Sequence, residues 1–165
     1  MKNNLVCLGI DPGLARVGFG LLEHSELGLR ALNYGCIETK PSMCFTERLL
    51  QIYTGIQEQI AEGRPDFLSV ERLFFGRNTT TAGNVWQARG VIMLLAAQYT
   101  LPVIELAPNN IKRAVCGTGK ADKHAVQEII RDMLMLPNIP RPDDTADALA
   151  AAVAGLSLYT QKGDV

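Results

Sequence analysis

Three apolar runs follow one another within the first 39 residues with only turns between them, whereas each later run is set off by a stretch of helical periodicity. Leu5 to Asp11 ends at Pro12-Gly13, Val17 to Leu22 resumes beyond that turn, and Leu29 to Thr39 supplies a third strand. From Phe45 the apolar residues recur at Leu49, Ile52, Ile56 and Ile60, one face of a helix, until Gly63-Arg64-Pro65 stops the run. Phe67 to Val70, ending at Glu71, reads as a buried strand. A loop rich in Asn78, Thr79, Thr80 and Thr81 follows, then a helix through Tyr99, and Pro102 to Leu106 as the fifth strand. Three helical segments complete the chain: Asn109 to Val115, Ala121 to Leu136, and one starting near Asp143 with Ala146, Leu149, Ala150 and Val153 on one face. Strands joined by tight turns pair antiparallel, whereas strands separated by a helix pair parallel through right-handed crossovers. The expected architecture is an α/β three-layer domain over residues 1–165, a five-stranded mixed sheet flanked by helices.

The charge-free stretch from Gly90 to Ile104 is broken by Gln98, Thr100 and Pro102 and falls short of the ~20 apolar residues that span a bilayer. The N-terminal apolar run is too brief for a signal-peptide core. The expectation is a cytoplasmic protein with no membrane partner. Cys7, Cys36, Cys44 and Cys116 are scattered without a C-x-x-C, so they read as thiols rather than as zinc ligands or disulfides. Net charge is -1, but its distribution is uneven: residues 72 to 123 hold 7 basic and 2 acidic side chains between two acid-rich ends.

Four carboxylates stand in unusual places. Asp11 and Glu71 each close a buried run, where a carboxylate is costly unless a cation or hydrogen bonds compensate. Asp144 and Asp147, three residues apart, share a face at the start of the last helix. Taken singly, each has an ordinary explanation: strand-end capping for the first pair, helix-start acids favoured by the dipole for the second. Together they make a stronger case, because strand ends of an α/β sheet converge where ligands bind. A cluster of this kind repels itself unless hard divalent cations neutralise it, and an all-oxygen site suits Mg²⁺. Two such ions about 3.5 to 4 Å apart activate a water and stabilise the leaving oxygen of a phosphodiester.

Five motifs in order extend this reading. Leu8-Gly9-Ile10-Asp11-Pro12-Gly13, Val70-Glu71-Arg72-Leu73-Phe74, Gln87-Ala88-Arg89-Gly90-Val91, Lys112 with Gly117-Thr118-Gly119-Lys120-Ala121-Asp122-Lys123, and Asp144-Thr145-Ala146-Asp147-Ala148-Leu149-Ala150 closely resemble the RuvC-type Holliday-junction resolvases over nearly the whole chain. The resemblance implies a ribonuclease-H-like fold, a homodimer, and paired symmetric nicks in four-way junction DNA during recombination and repair. It further implies products with 5′-phosphate and 3′-hydroxyl ends and cooperation with the RuvA–RuvB branch-migration complex. Asp11, Glu71, Asp144 and Asp147 would hold two Mg²⁺ ions, with Mn²⁺ as a substitute. Phe74 would act against unstacked bases, and Lys112 and Lys123 match basic positions near the DNA backbone.

Lys112, Arg113, Lys120 and Lys123 crowd a segment with one acid, Asp122, which reads either as a solvated face or as a phosphate-facing surface. The excess charge of residues 72 to 123 favours DNA, and Arg77, just beyond Phe74 and Phe75, is counted with these positions. Gly117-Thr118-Gly119-Lys120 is no nucleotide P-loop, since Ala114 stands at the required glycine and Ala121 follows the lysine. These glycines would instead let a helix N-terminus approach a phosphate. An actin-like kinase would share the Gly9-Ile10-Asp11-Pro12-Gly13 hairpin, but it needs two lobes, and 165 residues are too few. A junction-binding module without chemistry is disfavoured by retention of all four carboxylates. The helix carrying Gly83, Trp86, Gln87, Gly90, Val91 and Leu94 has more small and apolar residues than one sheet face requires, and is the expected dimer contact.

Overall fold

The computed structural model describes residues 4–73 and 79–162. Its elements run β1 (Leu5–Asp11), β2 (Arg16–Ser25), β3 (Gly28–Glu38), α1 (Phe45–Gly63), β4 (Phe67–Glu71), α2 (Thr79–Gln98), β5 (Val103–Leu106), α3 (Pro108–Cys116), α4 (Lys123–Met133) and α5 (Asp143–Lys162). The five strands form one sheet in the order β3-β2-β1-β4-β5. β1 pairs antiparallel with β2, and β2 with β3, while β1–β4 and β4–β5 are parallel. The mixed sheet and its two kinds of connection therefore match the expectation.

Both sheet faces are covered. Val6, Leu8 and Ile10 of β1 point to one side, where Ile52, Ile56 and Ile60 of α1 and Ala88, Ile92 and Leu95 of α2 bury them. Cys7 of β1 and Phe67 of β4 point to the other, against Ile111 and Val115 of α3, Val126 and Ile130 of α4, and Leu149 through Leu156 of α5. The period of two along β1 thus feeds two cores, as a strand buried on both faces must.

Several element boundaries differ from the sequence expectation for local reasons. β2 runs past Leu22 to Ser25, its ladder with β3 continuing down to Gly28, and Glu23 and Arg30, which face each other across the hairpin, form a 2.9 Å ion pair. α2 begins at Thr79, within the stretch expected to be a loop. α4 is shorter than Ala121 to Leu136: Asp122 accepts the Ala125 N–H at 2.8 Å as N-cap, and Met135 adopts a positive φ just beyond the far end. Gly117, expected to help open a helix, instead closes α3, with φ 73° and its N–H on the Arg113 carbonyl.

α5 lies unusually close to the sheet. A Cβ on Gly9 would overlap the Ala148 carbonyl oxygen and stand 2.7 Å from the Ala152 Cβ, and one on Gly18 would overlap the Asp144 carbonyl. Glycines on β1 and β2 and alanines on α5 are what permit this approach. The buried Ser69 of β4 adds a directional tie, its hydroxyl donating to the Ala151 carbonyl at 2.6 Å. Gly18→Ala is expected to push the first turn of α5 off the sheet and destabilise the protein by about 1 to 3 kcal/mol, the usual cost of overpacking. Thermal unfolding checks it, at about 2 to 4 °C for each kcal/mol in a chain of this size.

Candidate active site

The parallel strands β1 and β4 lie side by side and end at Asp11 and Glu71, so both carboxylates emerge at the same edge of the sheet. The seat of α5 on β1 and β2 brings its first turns, with Asp144 and Asp147, to that edge. The four acids expected to act together converge on that edge, near enough for Asp11 to feel the charge of the other three. Burial, then the charges of Glu71, Asp147 and Asp144, push the Asp11 carboxyl up to about 8. Burial and Asp147 raise Glu71, against the opposing pull of Lys123 and Lys112, and burial raises Asp147 despite its hydrogen bond from Lys123. Each is the response of a carboxylate desolvated among like charges.

Besides Lys112, cations at ion-pair distance partly offset the repulsion. Lys123 Nζ sits 2.5 Å from Asp143 Oδ2 and 2.9 Å from Asp147 Oδ2. Burial alone would lower the lysine, but these bonds outweigh it and hold it above its ordinary value. Arg16, at the start of β2, places Nε 3.1 Å from Asp144 Oδ2. That buried oxygen is close enough to pair yet makes no hydrogen bond. Arg16 and Asp143 are neighbours of the carboxylates that sequence reasoning does not single out. Asp143 was read only as a helix-start acid, and nothing local to Arg16 announces a partner near the other end of the chain.

Lys112 donates to the Ala121 carbonyl at 2.7 Å and, with Lys123, lines the pocket that holds Glu71 and Asp147. Lys120 is exposed on the turn after α3. Arg113 points elsewhere, into a groove with Leu106, Asn110 and Leu158, so the structure does not bring it to the carboxylates. Phe74 and Arg77 lie outside the described residues.

Among the described residues, no three His, Cys, Asp or Glu side chains stand together in ligating positions. The chemistry of the donors nevertheless fits a hard divalent cation: four carboxylates converge, three of them raised by burial and mutual charge, and one buried oxygen of Asp144 has no hydrogen bond. With the lysine and arginine holding Asp147 and Asp144, ligation requires those side chains to give way.

A family model for the crossover junction endodeoxyribonuclease RuvC matches residues 7–155. A Desulfitobacterium hafniense crossover junction endodeoxyribonuclease RuvC is 50% identical over 149 residues, which cover 90% of each chain. The solved Thermus thermophilus RuvC superposes with a TM-score of 0.87 at 33% identity, covering 96% of this chain and 97% of the other. A structure of the same protein in complex with a Holliday junction substrate superposes with a TM-score of 0.86 at 30% identity, with the same coverage.

The raised carboxyls give the metal-free protein a defined pH response. A group whose folded pKa lies above its unfolded value binds more protons in the native state, so stability falls as pH rises between the two. For Asp11 that window runs from its ordinary 3.8 to about 8, and Glu71 and Asp147 act in the same direction. In EDTA, the thermal midpoint should drop by more than about 4 °C from pH 5 to pH 8. Asp11→Asn should flatten that drop, and Mg²⁺ added at pH 8 should restore the wild-type midpoint by binding the native state.

Proposed function

Because the chain belongs to the RuvC family of crossover junction endodeoxyribonucleases, we propose that it resolves Holliday junctions in recombination and repair by paired nicks, using Mg²⁺ held by Asp11, Glu71, Asp144 and Asp147. The observation that carries this reading is the convergence of these four carboxylates, drawn from β1, β4 and α5, on one sheet edge flanked by Lys112 and Lys123. Two bound divalent cations, Mg²⁺ or Mn²⁺, would supply an activated water and stabilisation of the leaving oxygen. The protein's own part is to present four oxygens from rigid elements, so that the metals and the scissile phosphate arrive at a preorganised site. Lys112 and Lys123 neutralise phosphate charge beside the cut, Lys120 and Arg113 contribute to the wider basic surface, and Arg77 extends it. Phe74 stacks on bases opened at the junction centre. Cleavage leaves 5′-phosphate and 3′-hydroxyl ends. The chain works as a cytoplasmic single-domain nuclease alongside the RuvA–RuvB complex, and no helix among its described residues is long and apolar enough to cross a membrane.

Cutting a synthetic four-way junction in Mg²⁺, read on a denaturing gel, tests this. Asp11→Asn should lower the cleavage rate by about 100-fold or more while leaving junction binding in Ca²⁺ intact, since it removes a metal ligand but no basic surface. Equal cutting by variant and wild type would remove Asp11 from the site.

A four-way junction needs two opposed nicks, and each chain offers one carboxylate cluster, so a C₂ dimer supplies the pair. α2 supports such a contact. Gly83, Gln87, Gly90 and Leu94 lie exposed along it, Leu94 at 54%, and among the described residues nothing outside the helix's own backbone lies within 4 Å of where a Cβ of Gly83 or Gly90 would be. Trp86 is partly covered and carries the Arg89 guanidinium over its ring at 5.4 Å. Leu94→Asp should convert the dimer to a monomer in light scattering and cause each junction to be nicked in only one strand per binding event.

A further inference from the structure

We propose that a pocket on the Asp144 side of the carboxylates, walled by the guanidinium groups of Arg16 and Arg48, is a seat for a DNA backbone phosphate flanking the cut. The proposal rests on the nuclease reading and adds to it a second flank of substrate recognition. The pocket, about 420 Å³, is formed by the β1–β2 turn at Gly13 and Ala15, by Arg48 of α1, by Asn84 of α2, and by Arg16 and Asp144. It is separate from the pocket that holds Lys112, Lys123, Glu71 and Asp147. The carboxylate cluster thus lies between two cationic recesses, lysines on the Glu71 side and arginines on the Asp144 side. A DNA strand that sets its scissile phosphate on the carboxylates continues in both directions, and the charge it carries there needs neutralising on both.

Arg48 is built for this role. Its Nε donates to Thr39 Oγ1 at 2.8 Å, and that buried hydroxyl in turn donates to the Leu14 carbonyl at 2.6 Å. One edge of the guanidinium is therefore fastened to the turn that forms the pocket wall. Among the described residues Arg48 pairs with no carboxylate, so its terminal N–H groups keep their charge for another acceptor. Arg16 already faces Asp144 and Asp143, but its side chain is 46% exposed and lines the same pocket. Two planar donors from different elements, with an amide from Asn84, match the tetrahedral oxygens of a phosphodiester better than a lysine would. Neither arginine belongs to the basic segment between Arg72 and Lys123, and the halves of the pocket are far apart in the chain.

The test measures junction binding in Ca²⁺, where DNA stays intact, for wild type, Arg48→Gln and Arg48→Lys, with thermal unfolding recorded for each. Arg48→Gln should reduce the slope of log Kd against log salt by about one, so that its deficit shrinks about four-fold between 50 and 200 mM salt. Arg48→Lys, which keeps the charge, should retain the slope. A scan of single methylphosphonates around the cut then locates the contact: one flanking position should weaken wild type but not Arg48→Gln. If Arg48→Gln does not fold, Arg16→Gln takes its place in the scan. An unchanged slope, or equal methylphosphonate losses at every position, overturns the proposal. So does a variant that loses only sensitivity to inorganic phosphate, since that assigns the pocket to the free ion. A wild-type protein that makes no cut in Mg²⁺ fails the nuclease reading itself, whereas one that cuts normally beside an unaltered Arg48→Gln variant fails the phosphate seat alone.

Discussion

The contact between α5 and the two central strands is the constraint on which the site depends. Helices usually ride on a sheet at the distance set by interleaved side chains, but here Gly9 and Gly18 meet backbone and alanine carbons of α5 directly. Without that approach, the first turn of α5 would stand off from Asp11 and Glu71 by roughly the thickness of a side-chain layer. Ala148 and Ala152, both fully buried, are the helix's half of the contact at Gly9. Ser69 fastens the third component, β4, by its bond to the Ala151 carbonyl, so that β1, β4 and α5 hold one another in a single register. Packing of small residues is in this sense the source of the cluster's geometry, since no bond among the carboxylates themselves could gather them.

Gathering like charges has an electrostatic cost, and the surrounding cations show how the fold bears it. Lys123 bridges Asp143 and Asp147, and Arg16 faces Asp144. Asp143, the most exposed of the acids in this group, has its carboxyl lowered by the lysine's hydrogen bond, whereas Asp11, farther from either cation and more deeply buried, is raised to about 8. The cluster is thus graded: its rim is neutralised by protein side chains, and its interior carries the unmet demand for positive charge. A divalent cation satisfies that demand more completely than a single ammonium group, because it accepts several carboxylate oxygens at once.

Much of this was legible before any coordinates. The antiparallel meander, the parallel crossovers and the switch from hairpins to helices follow from turn residues and apolar spacing, whereas the order of the strands in the sheet does not; the four carboxylates stand out because each breaks or borders an apolar pattern. The misreadings have local causes. Threonine and asparagine suggested a loop where α2 begins, since their weak helix propensity gives no local signal of a helix start at Thr79. Gly117 was read as the opening of a helix because glycine punctuates either end, and only its positive φ distinguishes a C-cap. Lys112 and Arg113 are adjacent in sequence, and only the turn of α3 decides that they face different ways: Lys112 to the pocket with Glu71 and Asp147, Arg113 to another groove.

The chain by itself determined which residues are apolar, where turns interrupt them, and which acids sit at the ends of buried runs. These are local properties, written in periodicities of two and 3.6 residues. Tertiary structure alone decided which cation serves which acid, that Arg16 and Arg48 share a recess, and that a helix near the C-terminus can lie close enough to β1 for Asp144 and Asp147 to join Asp11. Those outcomes depend on distances between elements far apart in the chain, and such distances are set by how closely backbones pack, which no single stretch of sequence encodes.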